Sequence, residues 1–214
     1  MKTIYSKIDK KQVAQMPAVL FEGRIEVVQT VAECDKAVEY LLRQKFLGFD
    51  TETRPSFRKG VSYKVSLVQI STHDICFLFR LNMIGVPESL KRLLETLHST
   101  IIGLSLHDDF ASLRRRFQFE PGDFVELQDM VKTIGIEDMS LQKIYANLFG
   151  QKISKNQRLT NWETDVLTDK QKRYAATDAW ACLKIYEEVE RLRITRDYEL
   201  IHPVPADTVS VGTI

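Results

Sequence analysis

Residues 46–53 read Phe46-Leu47-Gly48-Phe49-Asp50-Thr51-Glu52-Thr53. A short apolar run ending in two acids one residue apart predicts a buried strand. Side chains two apart on a strand point the same way, so both carboxylates leave the core on one face. The polar stretch 53–63, with Pro55 and Gly60, predicts a loop. Beyond it, Lys64–Ile70 and Ile75–Phe79 read as strands joined in a hairpin around Thr72-His73-Asp74. Upstream, Arg24–Val28 reads as a strand and Val31–Gln44 as an amphipathic helix. Downstream, helix and strand alternate: helices over 87–98, 105–117, 140–149 and 168–192, strands over 100–104 and 124–127. Pro87 stands near the start of its helix, where a missing N–H costs nothing. A hairpin followed by alternation predicts an α/β fold with a mixed sheet flanked by helices.

Two carboxylates held as close as Asp50 and Glu52 repel each other unless a cation lies between them. On their own they also read as solvated acids at a strand end. A second group stands on the last helix, Tyr174-Ala175-Ala176-Thr177-Asp178-Ala179. Its apolar stripe runs through Tyr174, Ala181, Cys182, Ile185 and Val189, and Asp178 lies on that stripe one turn from Tyr174. An acid on a buried face needs a partner, either a hydrogen bond, an arginine or a metal. A third group, Gly103 to Phe110, passes from strand to helix. There Asp109 borders the inward stripe of Leu106, Phe110, Leu113 and Phe117, while Asp108 points further out. Either acid also suits a helix N-terminus. Taken together, Asp50, Glu52, Asp109 and Asp178 come from three segments that pack into one layer. Oxygen-only ligands suit Mg²⁺ or Mn²⁺ rather than zinc. Two such ions about 3.5–4 Å apart can hold the attacking and leaving oxygens of an in-line phosphodiester attack.

The chain has 214 residues, which suits one α/β domain with a substantial core. Its 30 Lys and Arg nearly balance 29 Asp and Glu, so bulk charge argues neither for nor against nucleic acid. Three scattered cysteines, Cys34, Cys76 and Cys182, form no C-x-x-C pair and exclude a zinc knuckle or disulfide framework; they fit a reducing compartment. Residues 1–11 carry four lysines without an apolar run and do not read as a signal peptide. No stretch approaches the roughly 20 apolar residues of a spanning helix. The expectation is a cytoplasmic protein without membrane contact. Residues 1–23 read as a lead-in with a short helix before Pro17, residues 24–192 as the domain, and 193–214, with Pro203 and Pro205, as an irregular tail.

Phe49–Thr53, the Asp109 segment and Tyr174-x-x-x-Asp178 resemble the three motifs of the DEDD exonucleases, in the subclass with tyrosine in the third motif. The likeness is greatest to Werner-type exonuclease domains, with ribonuclease D a broader relative. Val65–Ile70, Phe124–Asp129, Asn161-Trp162 and Leu167-Thr168 extend it over roughly residues 24–192. The resemblance implies a ribonuclease H-like fold with a five-stranded mixed sheet and 3′→5′ trimming of nucleic acid to 5′-mononucleotides. It implies that Asp50, Glu52, Asp109 and Asp178 bind two Mg²⁺ or Mn²⁺ ions and that Tyr174 orients the attacking water. Glu52 and the Thr51 backbone would contact the terminal 3′-hydroxyl. The partner is then a nucleic acid with a free 3′ end, DNA in preference to RNA, as in DNA repair. Some members carry an asparagine before the second-motif aspartate; here Leu106, His107 and Asp108 fill that stretch. Helix register and alignment both favour Asp109 over Asp108.

Met139 to Trp162 contains no acid but holds Lys143, Lys152, Lys155 and Arg158. Such a one-sided segment is a candidate phosphate track, or else a solvated face. Lys143, Lys155 and Arg158 are the candidate strand contacts. Trp162 reads as core rather than as a base-stacking surface. Arg114–Arg116 suit a helix C-terminus, and His107 lies close enough to the second motif to touch phosphate or to play a structural part.

Overall fold

The computed structural model describes residues 1–203. Six strands, β2 (Arg24–Val28), β3 (Phe46–Thr53), β4 (Val65–Ser71), β5 (Ile75–Arg80), β6 (Thr100–Gly103) and β7 (Phe124–Glu126), form one sheet in the order β2-β5-β4-β3-β6-β7. The β3–β4–β5 meander is antiparallel; β2, β6 and β7 add in parallel. The sheet thus has one strand more than the five the resemblance implies. The edge strand β7 pairs with β6 over only three residues, Phe124 to Glu126. Every residue of β4 is buried, which explains why apolar side chains occupy both of its faces.

Helices cover both sides. On one side α2 (Val31–Leu41), the short α3 (Leu81–Ile84), α4 (Glu88–Leu94) and α5 (Leu106–Arg114) close a core with Leu47, Phe49, Val68 and Ile70. A capping box starts α2: Glu33 N donates to Thr30 Oγ1 at 3.2 Å, and Thr30 N donates to the Glu33 carboxylate at 2.9 Å. On the other side α8 (Asp169–Thr195) lies across β3, β4, β5 and β6. With α6 (Leu127–Lys132) and α7 (Leu141–Phe149) it closes a second core. Gly48 sets how near α8 can come, since a Cβ there would stand 2.0 Å from the Ala179 carbonyl oxygen.

Several boundaries differ from the sequence expectation. The helix expected over 87–98 ends at Leu94, because Gly122 N and Asp123 N donate to the carbonyls of Leu94 and Thr96 at 2.9 and 3.1 Å and carry the chain into β7. Leu127 opens α6 rather than ending a strand. The lead-in contains α1 (Lys10–Gln15), as expected, but also β1 (Lys2–Tyr5). That strand pairs in parallel with β8 (Tyr198–Ile201), so the segment after residue 193 is not irregular throughout. Four-residue strands whose partners lie almost two hundred positions away leave no local pattern to read. Ile4 on β1 is fully buried. Pro205 lies outside the described residues.

A candidate carboxylate active site

Strand β3 delivers the first two acids. Leu47 and Phe49 enter the core on the α5 side, so Gly48, Asp50 and Glu52 face α8. Helix α8 brings Asp178, 3% exposed, to the same place. Asp50, Glu52 and Asp178 each offer an oxygen within 4.8 Å of the other two. Thr51, with the opposite orientation, faces α5, where its hydroxyl donates to Asp109 Oδ1. Asp109 thus stands beside the trio, tied through Thr51, while Asp108 is exposed. The start of α5 is shaped for this. Ser105 takes a left-handed backbone with φ of 65°. Glu126 accepts from Ser105 N at 2.9 Å and from Leu106 N at 2.7 Å, and Gln128 donates to Ser105 Oγ at 3.0 Å.

Local ties fix the start of α8. A capping box pairs Thr168 with Gln171, whose amide also donates to Thr160 Oγ1 at 3.1 Å and to the Asn161 carbonyl at 3.2 Å. The buried Arg80 guanidinium donates to the carbonyls of Thr164 and Asp165. Between these ties Trp162 is fully buried, its ring centroid 6.1 Å from that of Tyr174. It is a floor for the tyrosine and not a base-stacking surface.

The four acids oppose one another. Burial pushes the Asp50 carboxyl up to about 7. Burial, then the charges of Asp50, Asp178 and Asp109, push Glu52 up to about 10. Asp109 and Asp178 are raised well above the ordinary carboxylate range by burial and by Asp50. The Tyr174 hydroxyl is pushed up by burial and by neighbouring Asp178. Asp178 Oδ1 is buried and has no hydrogen-bond partner among the described residues. A buried carboxylate oxygen without a partner costs on the order of 1–3 kcal/mol or more unless a cation satisfies it. An all-oxygen donor set with an orphaned buried oxygen fits hard divalent cations such as Mg²⁺ or Mn²⁺.

The acids open into a cleft of about 320 Å³ whose walls include Thr51, Tyr174, Lys155, Arg158 and Met139 to Gln142 at the start of α7. Lys155 and Arg158, two of the cations expected on a phosphate track, line it. Lys143 does not: its ammonium pairs with Asp138 at 2.9 Å. Lys152 donates to the Ala14 carbonyl. Both hydrogen-bond donors of Thr51 are engaged inside the site, the amide with Asp50 Oδ1 at 2.9 Å and the hydroxyl with Asp109. Arg114 bonds the Phe119 carbonyl at 3.3 Å and Arg116 the Val65 carbonyl, so these arginines brace the turn after α5. Glu126, Gln128 and Arg80 support the site without a sequence signal that marks them. Only their place inside a matching segment, for Glu126 and Gln128, singled them out at all.

Residues 25–192 match the family model described as 3′-5′ exonuclease. The chain is 32% identical over 192 residues to a 3′-5′ exonuclease of Arabidopsis thaliana, covering 82% of this chain and 67% of that protein. It is 31% identical over 187 residues to the mouse (Mus musculus) bifunctional 3′-5′ exonuclease/ATP-dependent helicase WRN, covering 83% of this chain but 13% of that protein. Among solved structures, Escherichia coli RNase D superposes with a TM-score of 0.70 at 19% identity, covering 80% of this chain and 47% of that one. This last likeness is one of fold.

Proposed function

The chain belongs to the 3′-5′ exonuclease family, and from that membership we propose that it removes 5′-mononucleotides from the free 3′ end of a nucleic acid, DNA in preference to RNA. The observation that carries the reading is the convergence of Asp50, Glu52 and Asp178 within 4.8 Å, with Asp109 tied alongside and Tyr174 on the wall. Asp50, Glu52, Asp109 and Asp178 would hold two Mg²⁺ or Mn²⁺ ions. When bound, such ions supply charge neutralisation and activation of water for in-line attack on the terminal phosphodiester.

The protein's own groups do the rest. Tyr174 both donates and accepts hydrogen bonds, so its hydroxyl orients the attacking water. It does not serve as the base, because burial beside Asp178 drives its ionisation upward, far from neutral pH. Lys155 and Arg158 draw the phosphate backbone into the cleft. Glu52 and the Thr51 segment, at the end of β3, meet the terminal sugar. The DNA preference, and with it a part in DNA repair, follows the Werner-type resemblance, and three free thiols accord with the reducing cytoplasm. The competing reading is RNA 3′-end trimming, favoured by the fold shared with E. coli RNase D, whose structure is described as an exoribonuclease involved in structured RNA processing. Contacts to the 2′-hydroxyl decide between them.

End-labelled DNA and RNA of matched sequence, single-stranded and recessed, incubated with Mg²⁺ or Mn²⁺, test the proposal. Stepwise metal-dependent shortening from the 3′ end, abolished by Asp50→Asn, is expected. No shortening of either polymer, or identical behaviour of wild type and Asp50→Asn, would reduce the chain to a binding module.

A further inference from the structure

A second cleft, of about 430 Å³, lies past the end of β3. The loop after β3 supplies one wall, with Phe57, Arg58 and Tyr63; the segment after Lys155 supplies the other, with Leu159 and Asn161. The two clefts are continuous in the chain on both walls. Arg54 follows Glu52 by two residues, and Arg158 lines the first cleft while Leu159 lines the second.

Its surface is unusual for water. Phe57 is 83% exposed and Leu159 66% exposed. A large aromatic ring held this open contributes nothing to the core, so folding does not explain it. The Arg54 guanidinium lies 4.7 Å from the Tyr63 ring centroid and pairs with Glu163 at 3.3 Å, which holds that ring in place. Arg58 and Lys59 are exposed and form no ion pair among the described residues. An exposed aromatic face beside unpaired cations complements the bases and phosphates of an unpaired strand. A protein partner's apolar patch would match the rings but leave Arg58 and Lys59 unanswered.

We propose that the loop at residues 54–63, together with Leu159, forms a second nucleotide subsite that stacks an unpaired base of the strand upstream of the scissile bond. Phe57 supplies the stacking face, and Arg58 and Lys59 take the adjoining phosphates. The subsite rests on the exonuclease reading for its substrate, but its binding can be measured apart from cleavage. It makes grip on the strand depend on length, because only a strand that extends past the first cleft fills it.

Fluorescence anisotropy in an Asp50→Asn background, which blocks cleavage, measures the affinity of labelled single strands of increasing length. A stacked base is worth on the order of 1–3 kcal/mol, so Phe57→Ala should weaken a decanucleotide about 5- to 150-fold and flatten the gain in affinity with length. Phe57→Trp should restore that gain. A decanucleotide made abasic at the stacked upstream position should bind equally weakly with and without the Phe57→Ala change. Undiminished length dependence in Phe57→Ala overturns the subsite while leaving the exonuclease reading intact. So does an equal loss on intact and abasic strands, which would assign the patch to something other than a base. A wild-type protein that neither binds nor shortens any strand overturns both readings together.

Discussion

Asp178 concentrates the conflict between stability and chemistry in one side chain. It is buried, one of its oxygens has no partner, and Asp50 repels it. Such a residue weakens the metal-free protein unless a bound cation satisfies it. Asp178→Asn should therefore raise the melting temperature of the metal-free protein while lowering nuclease activity by more than about 100-fold, since loss of a ligand exceeds loss of a supporting contact. Calorimetry in chelator beside a rate assay in Mg²⁺ checks both halves, and a fall in both would mark the residue as structural. The same repulsion sets a pH dependence. All four acids have folded values raised above the unfolded carboxylate range, so the folded state favours their protonated forms. Their stabilising contribution is complete below roughly pH 4 and is lost as pH rises through about 7 for Asp50 and about 10 for Glu52. Metal-free protein should thus lose thermal stability between neutral and alkaline pH, and Mg²⁺ should restore it by an increment that grows with pH. An increment that shrinks with pH would contradict ligation by these acids.

At the scale of elements, the distance between β3 and α8 sets the geometry of the acids. Gly48 permits it, because any Cβ would run into the Ala179 backbone one residue from Asp178. Gly48→Ala should cost about 1–3 kcal/mol by overpacking and should lower kcat with it, as α8 shifts away from Asp50. Urea unfolding and steady-state rates on the variant test this, and unchanged kcat at reduced stability would separate packing from function. Much of this arrangement was legible. The two-residue spacing of Asp50 and Glu52, and the place of Asp178 on an apolar stripe, are local signals that a strand and a long helix preserve. Asp109 was legible from helix register, which points it inward while Asp108 stays exposed. The tie from Thr51 to Asp109 was not, because it joins residues 58 positions apart. Neither was the Glu126 clamp on α5, since a carboxylate accepting two backbone N–H groups has no sequence period. Lys143 shows the limit of charge counting: its segment has no acid, yet Asp138 just before it takes the ammonium.

Across the whole molecule, the six-stranded sheet has one apolar core on the α2–α4–α5 side and two apolar clusters on the α8 side, and the acids gather where β3 and α8 meet. Each main-sheet strand carries an apolar run that the sequence displays. The small β1–β8 sheet does not, because it joins distant ends by pairing that local composition cannot encode. The charge of the chain is near balance, with the acids drawn into the cleft and Lys155 and Arg158 on its wall. Divalent cations in the cleft would complete that distribution by offsetting the carboxylate charge. Crystals equilibrated with Mn²⁺ and measured at its absorption edge test this most directly. Two anomalous peaks about 3.5–4 Å apart, bounded by Asp50, Glu52, Asp109 and Asp178, are the expected result. Saturating Mn²⁺ with no peak among these carboxylates, or with ions only elsewhere on the surface, would contradict it.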